Sequence, residues 1–349
     1  MDSALQTADN SHQVIPSKYV ALEHYLKPVR EFLGPDVTEI CINRPNEVWT
    51  ETSSGWHHHP APALDYTYLQ LLAKQCATST GQDVSTASPL LSAHLPTGER
   101  VQVVVPAATS SGTVSFTIRK PSAQSFSMDD YEAQGFFDEV SIAGARLQPH
   151  EVQLQEFLQV GNYRSFLETA VRKKLTIVVS GATGSGKTSF MKMLVNLIPR
   201  EERLITIEDT PELSIQAQPN HVRLFYSKGT TGASKVTSGD LIVCSMRMKP
   251  DRLLLAEIRD EATYYFIGAA NTGHPGSITS VHANSEVDAF GRIELLMREA
   301  EPAKNMADDV IRKFVRSTID VVVHIGRVQG KRRITGIYYD PERKYSIMG

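Results

Sequence analysis

The spacing of apolar residues divides the chain into an N-terminal and a C-terminal part. Residues 19–33 place their apolar side chains on one helical face, and the shorter apolar runs after them are typical of strands. Those strands are predicted at 39–42, 47–50, 100–105 and 113–118, with a second helix at 66–77. This order predicts a smaller α+β N-terminal domain over residues 15–120, preceded by a disordered tail over residues 1–14.

The C-terminal part, from residue 163 to residue 349, alternates apolar strands with helical stretches. Strands are predicted at 175–179, 203–207, 252–256, 277–281 and 319–325. Because strands that alternate with helices form parallel sheets covered on both faces, the sequence predicts an α/β domain with a mainly parallel, doubly wound sheet. The polar stretch between the two domains, residues 121–162, is predicted to be a partly helical linker.

A hairpin is predicted at the end of the chain, around Gly330. Its basic tip, residues 331–333, is interpreted as an exposed turn, with contact to nucleic acid or to a membrane surface as the lesser alternative.

Composition and charge exclude several classes of protein. The 349-residue chain carries 36 basic and 39 acidic residues, a net charge of −3, so it has no global basic field and no stable direct binding of nucleic acid is expected. Its three cysteines are far apart, which favours a reducing compartment. The polar N-terminus is not a signal peptide, and no apolar run approaches the roughly 20 residues that span a bilayer, so any membrane association is predicted to be peripheral.

A phosphate-binding loop stands between the strand predicted at 175–179 and a helix predicted from residue 189. Its eight residues, which have the form G-x-x-x-x-G-K-[ST], are Gly181, Ala182, Thr183, Gly184, Ser185, Gly186, Lys187 and Thr188. Glycines let the backbone N–H groups turn toward phosphate oxygens, and the helix N-terminus adds positive partial charge. Lys187 is predicted to reach the β- and γ-phosphates of ATP, and the Thr188 hydroxyl to ligate Mg²⁺.

Two carboxylates follow apolar strands and are candidates for catalysis. Glu208 ends the strand predicted at 203–207, and Glu257 ends the strand predicted at 252–256. Since ligands bind at the carboxyl ends of parallel strands, both should face the nucleotide. We assign Glu208 to the attacking water, as general base, and Glu257 to Mg²⁺, directly or through water. The reverse assignment of the two roles stays open at this stage.

One histidine and two arginines complete the candidate site. His282 ends the strand predicted at 277–281, where an imidazole can donate to a γ-phosphate, although a structural histidine is an equal alternative. Arg100 and Arg119 lie at the ends of N-terminal strands. They are either surface cations or arginine fingers that stabilise the transition state. Arg247 and Arg252 are weaker candidates for an interface.

With these pieces in this order, the chain resembles the traffic ATPases of bacterial type IV secretion and conjugation systems, which are RecA-like secretion ATPases. The matching segments, which extend from about residue 18 to about residue 345, include 40–48, 95–103, 117–122, 181–188, 207–209, 248–252 and 273–283. Glu208, Glu257 and His282 correspond to the acidic, second nucleotide and histidine motifs of the family, and Arg100 and Arg119 to its N-terminal arginines. The sequence departs from the broader superfamily at Ala256, where glycine is common.

The resemblance implies a homo-hexameric ring in which each N-terminal domain stacks on a RecA-like domain with ATP and Mg²⁺ between them. It also implies a role at the cytoplasmic face of the bacterial inner membrane, where the ring would assemble with inner-membrane components and drive pilus assembly and export of protein or DNA. Two alternatives are a RecA-like nucleic-acid translocase and a nucleotide-gated scaffold with little hydrolysis. The missing basic stripe weakens the translocase alternative, and the intact Lys187, Glu208 and Glu257 weaken the scaffold alternative.

Overall fold

A computed structural model describes residues 19–121, 126–138, 140, 147–227 and 234–348. The tail predicted for residues 1–14 and the linker residues 122–125, 139 and 141–146 lie outside the described residues. The predicted division of the chain into domains stays a prediction.

The N-terminal residues form an antiparallel sheet of six strands in the order β3-β2-β1-β6-β5-β4. The strands are β1 (Glu39–Ile42), β2 (Glu47–Thr52), β3 (Gly55–Pro60), β4 (Leu90–His94), β5 (Arg100–Val104) and β6 (Ser115–Arg119). Two helices, α1 (Val20–Arg30) and α2 (Tyr66–Ser79), bury their apolar faces in one core with this sheet. Leu22 and Leu69, on the two helices, and Phe116, on β6, are at most 1% exposed in that core.

The second sheet has seven strands in the order β13-β12-β7-β11-β10-β8-β9. They are β7 (Ile177–Ser180), β8 (Leu204–Glu208), β9 (His221–Phe225), β10 (Arg252–Leu255), β11 (Ile278–Val281), β12 (Val321–Val328) and β13 (Lys331–Tyr339). Every neighbouring pair is parallel except the hairpin β12–β13. The predicted α/β class and mainly parallel sheet are therefore confirmed.

Helices flank the second sheet and contribute to two apolar cores. They are α5 (Tyr163–Arg172), α6 (Lys187–Asn196), α7 (Ser238–Ser245), α8 (Ala262–Asn271), α9 (Asp288–Glu299) and α10 (Asp308–Thr318), and a last helix, α11 (Pro341–Met348), packs on α10. Two helices in the predicted linker precede them, α3 (Met128–Ala133) and α4 (Pro149–Gln159). The latter packs on α5, and its Leu154 is fully buried in the same core as Phe166. Among the described helices, none is long and apolar enough to cross a bilayer.

The two sheets meet at the edge strand β9. The backbone N–H of Phe225 donates to Ala108 O at 2.9 Å, and the Thr109 hydroxyl donates to Arg223 O at 3.0 Å. Beside this contact, the fully buried guanidinium of Arg203 donates to Asn43 Oδ1 at 2.6 Å. A buried charge is costly unless it is hydrogen-bonded, so this contact ties the N-terminal turn firmly to the second sheet.

Candidate nucleotide site

The phosphate-binding loop joins β7 to α6, in the interior of the second sheet. Positive φ angles at Gly181 (153°) and Gly186 (102°) let the backbone curl between strand and helix. Gly181 also lies under β12, because a Cβ there would clash with Ile325 O. Any side chain at this position would push the terminal hairpin away from the loop.

Lys187 is folded back over this loop. Its side chain is only 7% exposed, and Nζ donates to Gly181 O at 2.9 Å and to Ala182 O at 3.2 Å. Burial lowers the pKa of the ammonium, and the carboxylate of Glu257 opposes that change. The cation therefore lies at the mouth of the loop, where it can transfer its hydrogen bonds to phosphate oxygens.

A chain of polar contacts runs from Lys187 across three strand ends. His282 Nδ1 is 3.2 Å from Lys187 Nζ, and His282 Nε2 is 3.3 Å from a carboxylate oxygen of Glu257. Burial, together with the nearby Lys187 and Arg259 charges, lowers the pKa of His282, which favours the neutral imidazole. In that form Nδ1 accepts from Lys187 while Nε2–H donates to Glu257.

Arg259 closes the chain on its far side. It holds both oxygens of Glu257, at 2.6 and 2.7 Å, and contacts Asp209 at 3.3 Å. Burial raises the pKa of Glu257 to about 7, with Lys187 acting in the opposite direction. Arg259 was not predicted as a site residue, although its place two residues after Glu257 on the same loop indicates one.

Glu208 is in a different environment from Glu257. It is fully buried and accepts five hydrogen bonds: Thr206 Oγ1 at 2.6 Å, the backbone N–H of Glu212 at 2.8 Å and of Leu213 at 2.7 Å, and two from Arg223 at 3.1 Å. These bonds occupy both carboxylate oxygens. In this conformation Glu257, and not Glu208, is the carboxylate in contact with the lysine–histidine pair, while the two predicted catalytic roles stay predictions.

Arg100 and Arg119 are directly opposite each other on β5 and β6. Both line a cavity of about 380 Å³ between the first sheet and the end of α7, together with Arg247, Lys249 and the buried Glu39. Arg119 Nε is 3.8 Å from Glu39, and the Arg119 side chain is 57% exposed. In the described part of the chain neither arginine contacts the phosphate-binding loop, so their role as arginine fingers also stays a prediction.

The two weaker interface candidates have opposite environments. Arg247 donates to Ser92 Oγ of the first sheet at 2.9 Å, so it does bridge the two sheets. Arg252 is fully buried and forms a bidentate pair with Glu202 at 2.7 and 2.8 Å. The interface interpretation of Arg252 was wrong, because its side chain is fully buried at the start of β10 and its charge is neutralised by Glu202.

Oxygen ligands for Mg²⁺ are available beside the loop. The Thr188 hydroxyl stands in the first turn of α6 and is half-buried, and the Glu257 carboxylate is in electrostatic contact with Lys187. Hydroxyl and carboxylate oxygens are the ligands that Mg²⁺ prefers, usually with phosphates and water. No group of three or more histidine, cysteine or acidic side chains that could hold a metal occurs among the described residues.

Comparison with known proteins identifies the family. The model of the family described as type II/IV secretion system protein matches residues 23–333. The chain belongs to that family. Members similar to it include the type IV secretion system protein VirB11 of Brucella suis, 43% identical over 333 residues that cover 94% of this chain and 92% of the relative. PtlH of Bordetella pertussis, also a type IV secretion system protein, is 36% identical over 329 residues, 93% of this chain and 96% of the relative.

A solved structure supports the same family assignment. The crystal structure of the Brucella suis VirB11 ATPase, in complex with sulphate, superposes with a TM-score of 0.88 at 43% identity, covering 93% of this chain and 99% of that one. The predicted resemblance to the traffic ATPases of type IV secretion is confirmed, and so is the prediction that this member of the family is an ATP hydrolase.

Proposed function

We propose that the protein is a homo-hexameric ATPase motor that drives pilus assembly and export of protein or DNA through a type IV secretion or conjugation system. It would work at the cytoplasmic face of the bacterial inner membrane, docked on membrane components of that machine. The observation that carries the proposal is the contact chain Lys187–His282–Glu257 beside a complete phosphate-binding loop. Family membership supplies the transport context.

In this proposal the residues of the loop bind ATP through their backbone N–H groups and Lys187. When Lys187 turns to the β- and γ-phosphates, it gives up its contacts with the Gly181 and Ala182 carbonyls and with His282. The released imidazole can then donate to the γ-phosphate, and Glu257 loses one of the two cations beside it, while Arg259 still holds both of its oxygens. Lysine movement would therefore couple phosphate binding to the protonation of Glu257.

We propose that Glu257 is the carboxylate that acts on the attacking water or on Mg²⁺, which when bound neutralises charge on the phosphates. Its pKa near 7 is suited to accepting a proton at neutral pH. Glu208 would instead hold the turn after β8 rigid, since its oxygens already accept two backbone N–H groups and Arg223. This favours the reverse of the roles first assigned to these two carboxylates.

We propose that Arg100 and Arg119 act as arginine fingers, although within this single chain they do not reach the phosphate-binding loop. In a closed ring a neighbouring subunit, or a movement of the N-terminal domain, would have to bring them to the phosphates. Both side chains are exposed beside a cavity, and Arg119 would have to leave its 3.8 Å ion pair with Glu39 to do this.

The molecular mass in solution tests whether the protein assembles into a ring. Multi-angle light scattering with and without ATP and Mg²⁺ should give a nucleotide-stabilised particle of about six subunits, the ring size that the resemblance to traffic ATPases implies. The Glu257→Gln variant keeps Lys187 and the loop but should hydrolyse ATP slowly, so its ATP-bound assembly should persist longer than that of the wild type. A monomer under all conditions, with ATPase activity retained, would contradict the ring while leaving the hydrolase assignment intact.

A further inference from the structure

The terminal hairpin extends past the sheet and lies alongside the phosphate-binding loop. On β12, His324 is opposite Ser180, the last residue of β7, and the hairpin continues from there through four more residues of β12 to Val328. The backbone carbonyl of Ile325 lies directly over Gly181. The hairpin tip is therefore a wall of the nucleotide site, and its sequence is basic.

Arg332 lies against the far end of the same loop. A Cβ built on Gly186 would be 3.0 Å from Arg332 Cδ, 3.3 Å from Nε and 3.6 Å from Cζ. Gly186 is the residue that precedes the first turn of α6, where backbone N–H groups are directed at a bound phosphate. The exposure predicted for residues 331–333 is correct, but the Arg332 side chain also lies over the last glycine of the loop.

Within the described part of the chain, Arg332 forms no hydrogen bond or ion pair with a protein group. Its cross-strand partner is Arg327, so the two side chains share one face of the hairpin. Arg327 lines a cleft of about 240 Å³ with Ala182, Thr183 and Ser185. Two arginines therefore flank the loop, one beside its first half and one beside its last glycine.

Two like charges placed side by side repel each other, and no carboxylate of the described chain compensates Arg332. Such an arrangement is favourable when an anion lies between or beside the cations. The anion that the neighbouring loop is built to hold is a nucleotide phosphate chain. Lys187 already covers the loop from the side of Gly181 and His282, while Arg332 approaches from the side of Gly186.

We propose that Arg332 is a nucleotide-binding residue that acts within its own chain and contacts the α- and β-phosphates of the nucleotide in the loop. The inference rests on the nucleotide occupying Gly181–Thr188. A planar guanidinium can donate two parallel hydrogen bonds to phosphate oxygens, which a lysine cannot reproduce fully. Because ADP and ATP share these phosphates, Arg332 contributes equally to the binding of both nucleotides.

Equilibrium titration of the full-length protein with fluorescent ADP and ATP analogues tests the proposal. Arg332→Ala should weaken both by a similar factor, about 10-fold, as expected for loss of a hydrogen bond to a charged group. Arg332→Lys should recover part of that loss. The matched control is Arg333→Ala, because successive strand residues point to opposite faces; its affinity should stay within about two-fold of the wild type.

Steady-state kinetics separate a phosphate contact from a structural role. Loss of a contact made equally in ground and transition states raises KM and leaves kcat nearly unchanged.

Unchanged affinity in Arg332→Ala would overturn the proposal, as would equal losses of affinity in Arg332→Ala and Arg333→Ala. A loss confined to ATP would also overturn it. Lys187→Ala is titrated in parallel: if it abolishes binding while Arg332→Ala does not weaken it, the ATPase assignment stands and only the role of Arg332 falls. If the melting temperature of Arg332→Ala is below that of the wild type, the titrations are repeated with Arg332→Gln.

Discussion

Lys187 Nζ and His282 Nδ1 are 3.2 Å apart, so the lysine of the phosphate-binding loop is held by a histidine from a neighbouring strand end. A neutral imidazole accepts this hydrogen bond, and its second nitrogen faces Glu257. The contact links the group that binds phosphate to a carboxylate that can accept a proton. It also explains why a histidine should stand at the end of β11.

His282→Ala removes that link. We expect kcat for ATP to fall about 10-fold or more, while ADP affinity changes little, because the imidazole reports on the γ-phosphate. His274→Ala is the control, since His274 lies on the turn before β11 and hydrogen-bonds the Pro250 carbonyl at 3.2 Å. A wild-type kcat in His282→Ala would return this histidine to a structural role.

Glu257→Gln and Glu208→Gln should have opposite effects on activity and stability. Glu257→Gln should bind ATP and hydrolyse it at least about 100-fold more slowly, as loss of a general base does. Glu208→Gln should lower the melting temperature, because an amide cannot accept all five hydrogen bonds that the carboxylate accepts, and each unmet buried bond costs about 1–3 kcal/mol. Turnover rates and melting curves of the two variants check this. Slow hydrolysis with normal stability in Glu208→Gln alone would restore the first assignment, with Glu208 as the general base.

Arg100→Ala should reduce turnover more than ATP binding. An arginine finger acts mainly on transition-state charge and typically contributes about 1,000-fold or more to the rate. ATP titration and kcat are measured on the same preparation, with the exposed Arg172→Ala as control. An unchanged kcat would make Arg100 an ordinary surface cation.

The buried carboxyl of Glu39 should make stability depend on pH. Burial raises its pKa from 4.5 to about 7, although Arg119 acts in the opposite direction; Lys249 and Arg203 also lower it and Glu51 raises it. Because the unfolded chain loses this proton first, the free energy of unfolding should fall as pH rises from about 4.5 to about 7.

Glu39→Gln removes that dependence. Urea unfolding at pH 5 and pH 8 should show the variant gaining up to about 3 kcal/mol on the wild type at the higher pH, since one pKa unit corresponds to about 1.4 kcal/mol. Glu31→Gln, at an exposed position, is the control. Parallel pH profiles for wild type and Glu39→Gln would show that Glu39 ionises normally.

Much of the fold could be predicted because its signals are local. Apolar runs ending in functional residues predicted β7, β8, β10 and β11, and the helix predicted from residue 189 is α6, which begins two residues earlier, at Lys187. The strand β9 was missed: it lies at the sheet edge, so only Val222 and Leu224 of its residues are buried, and the apolar run is too short to stand out.

The contacts of the site depend on distant parts of the chain. Sequence placed Glu208 and Glu257 at equivalent strand ends, yet Arg223 on β9 pairs with the first, whereas Arg259, His282 and Lys187 surround the second. Arg332 could be assigned to a hairpin tip, but only the register of β12 with β7 brings it over Gly186. Such pairings follow from sheet order, which local patterns do not specify.

ATP turnover by wild type and Lys187→Ala, prepared identically, tests the central claim most directly. The exposed Lys173→Ala serves as control. Because Lys187 supplies the charge that meets the β- and γ-phosphates, its loss should lower turnover at least about 100-fold, while Lys173→Ala hydrolyses ATP like the wild type. Wild-type turnover in Lys187→Ala would contradict the assignment of ATP hydrolysis to this loop.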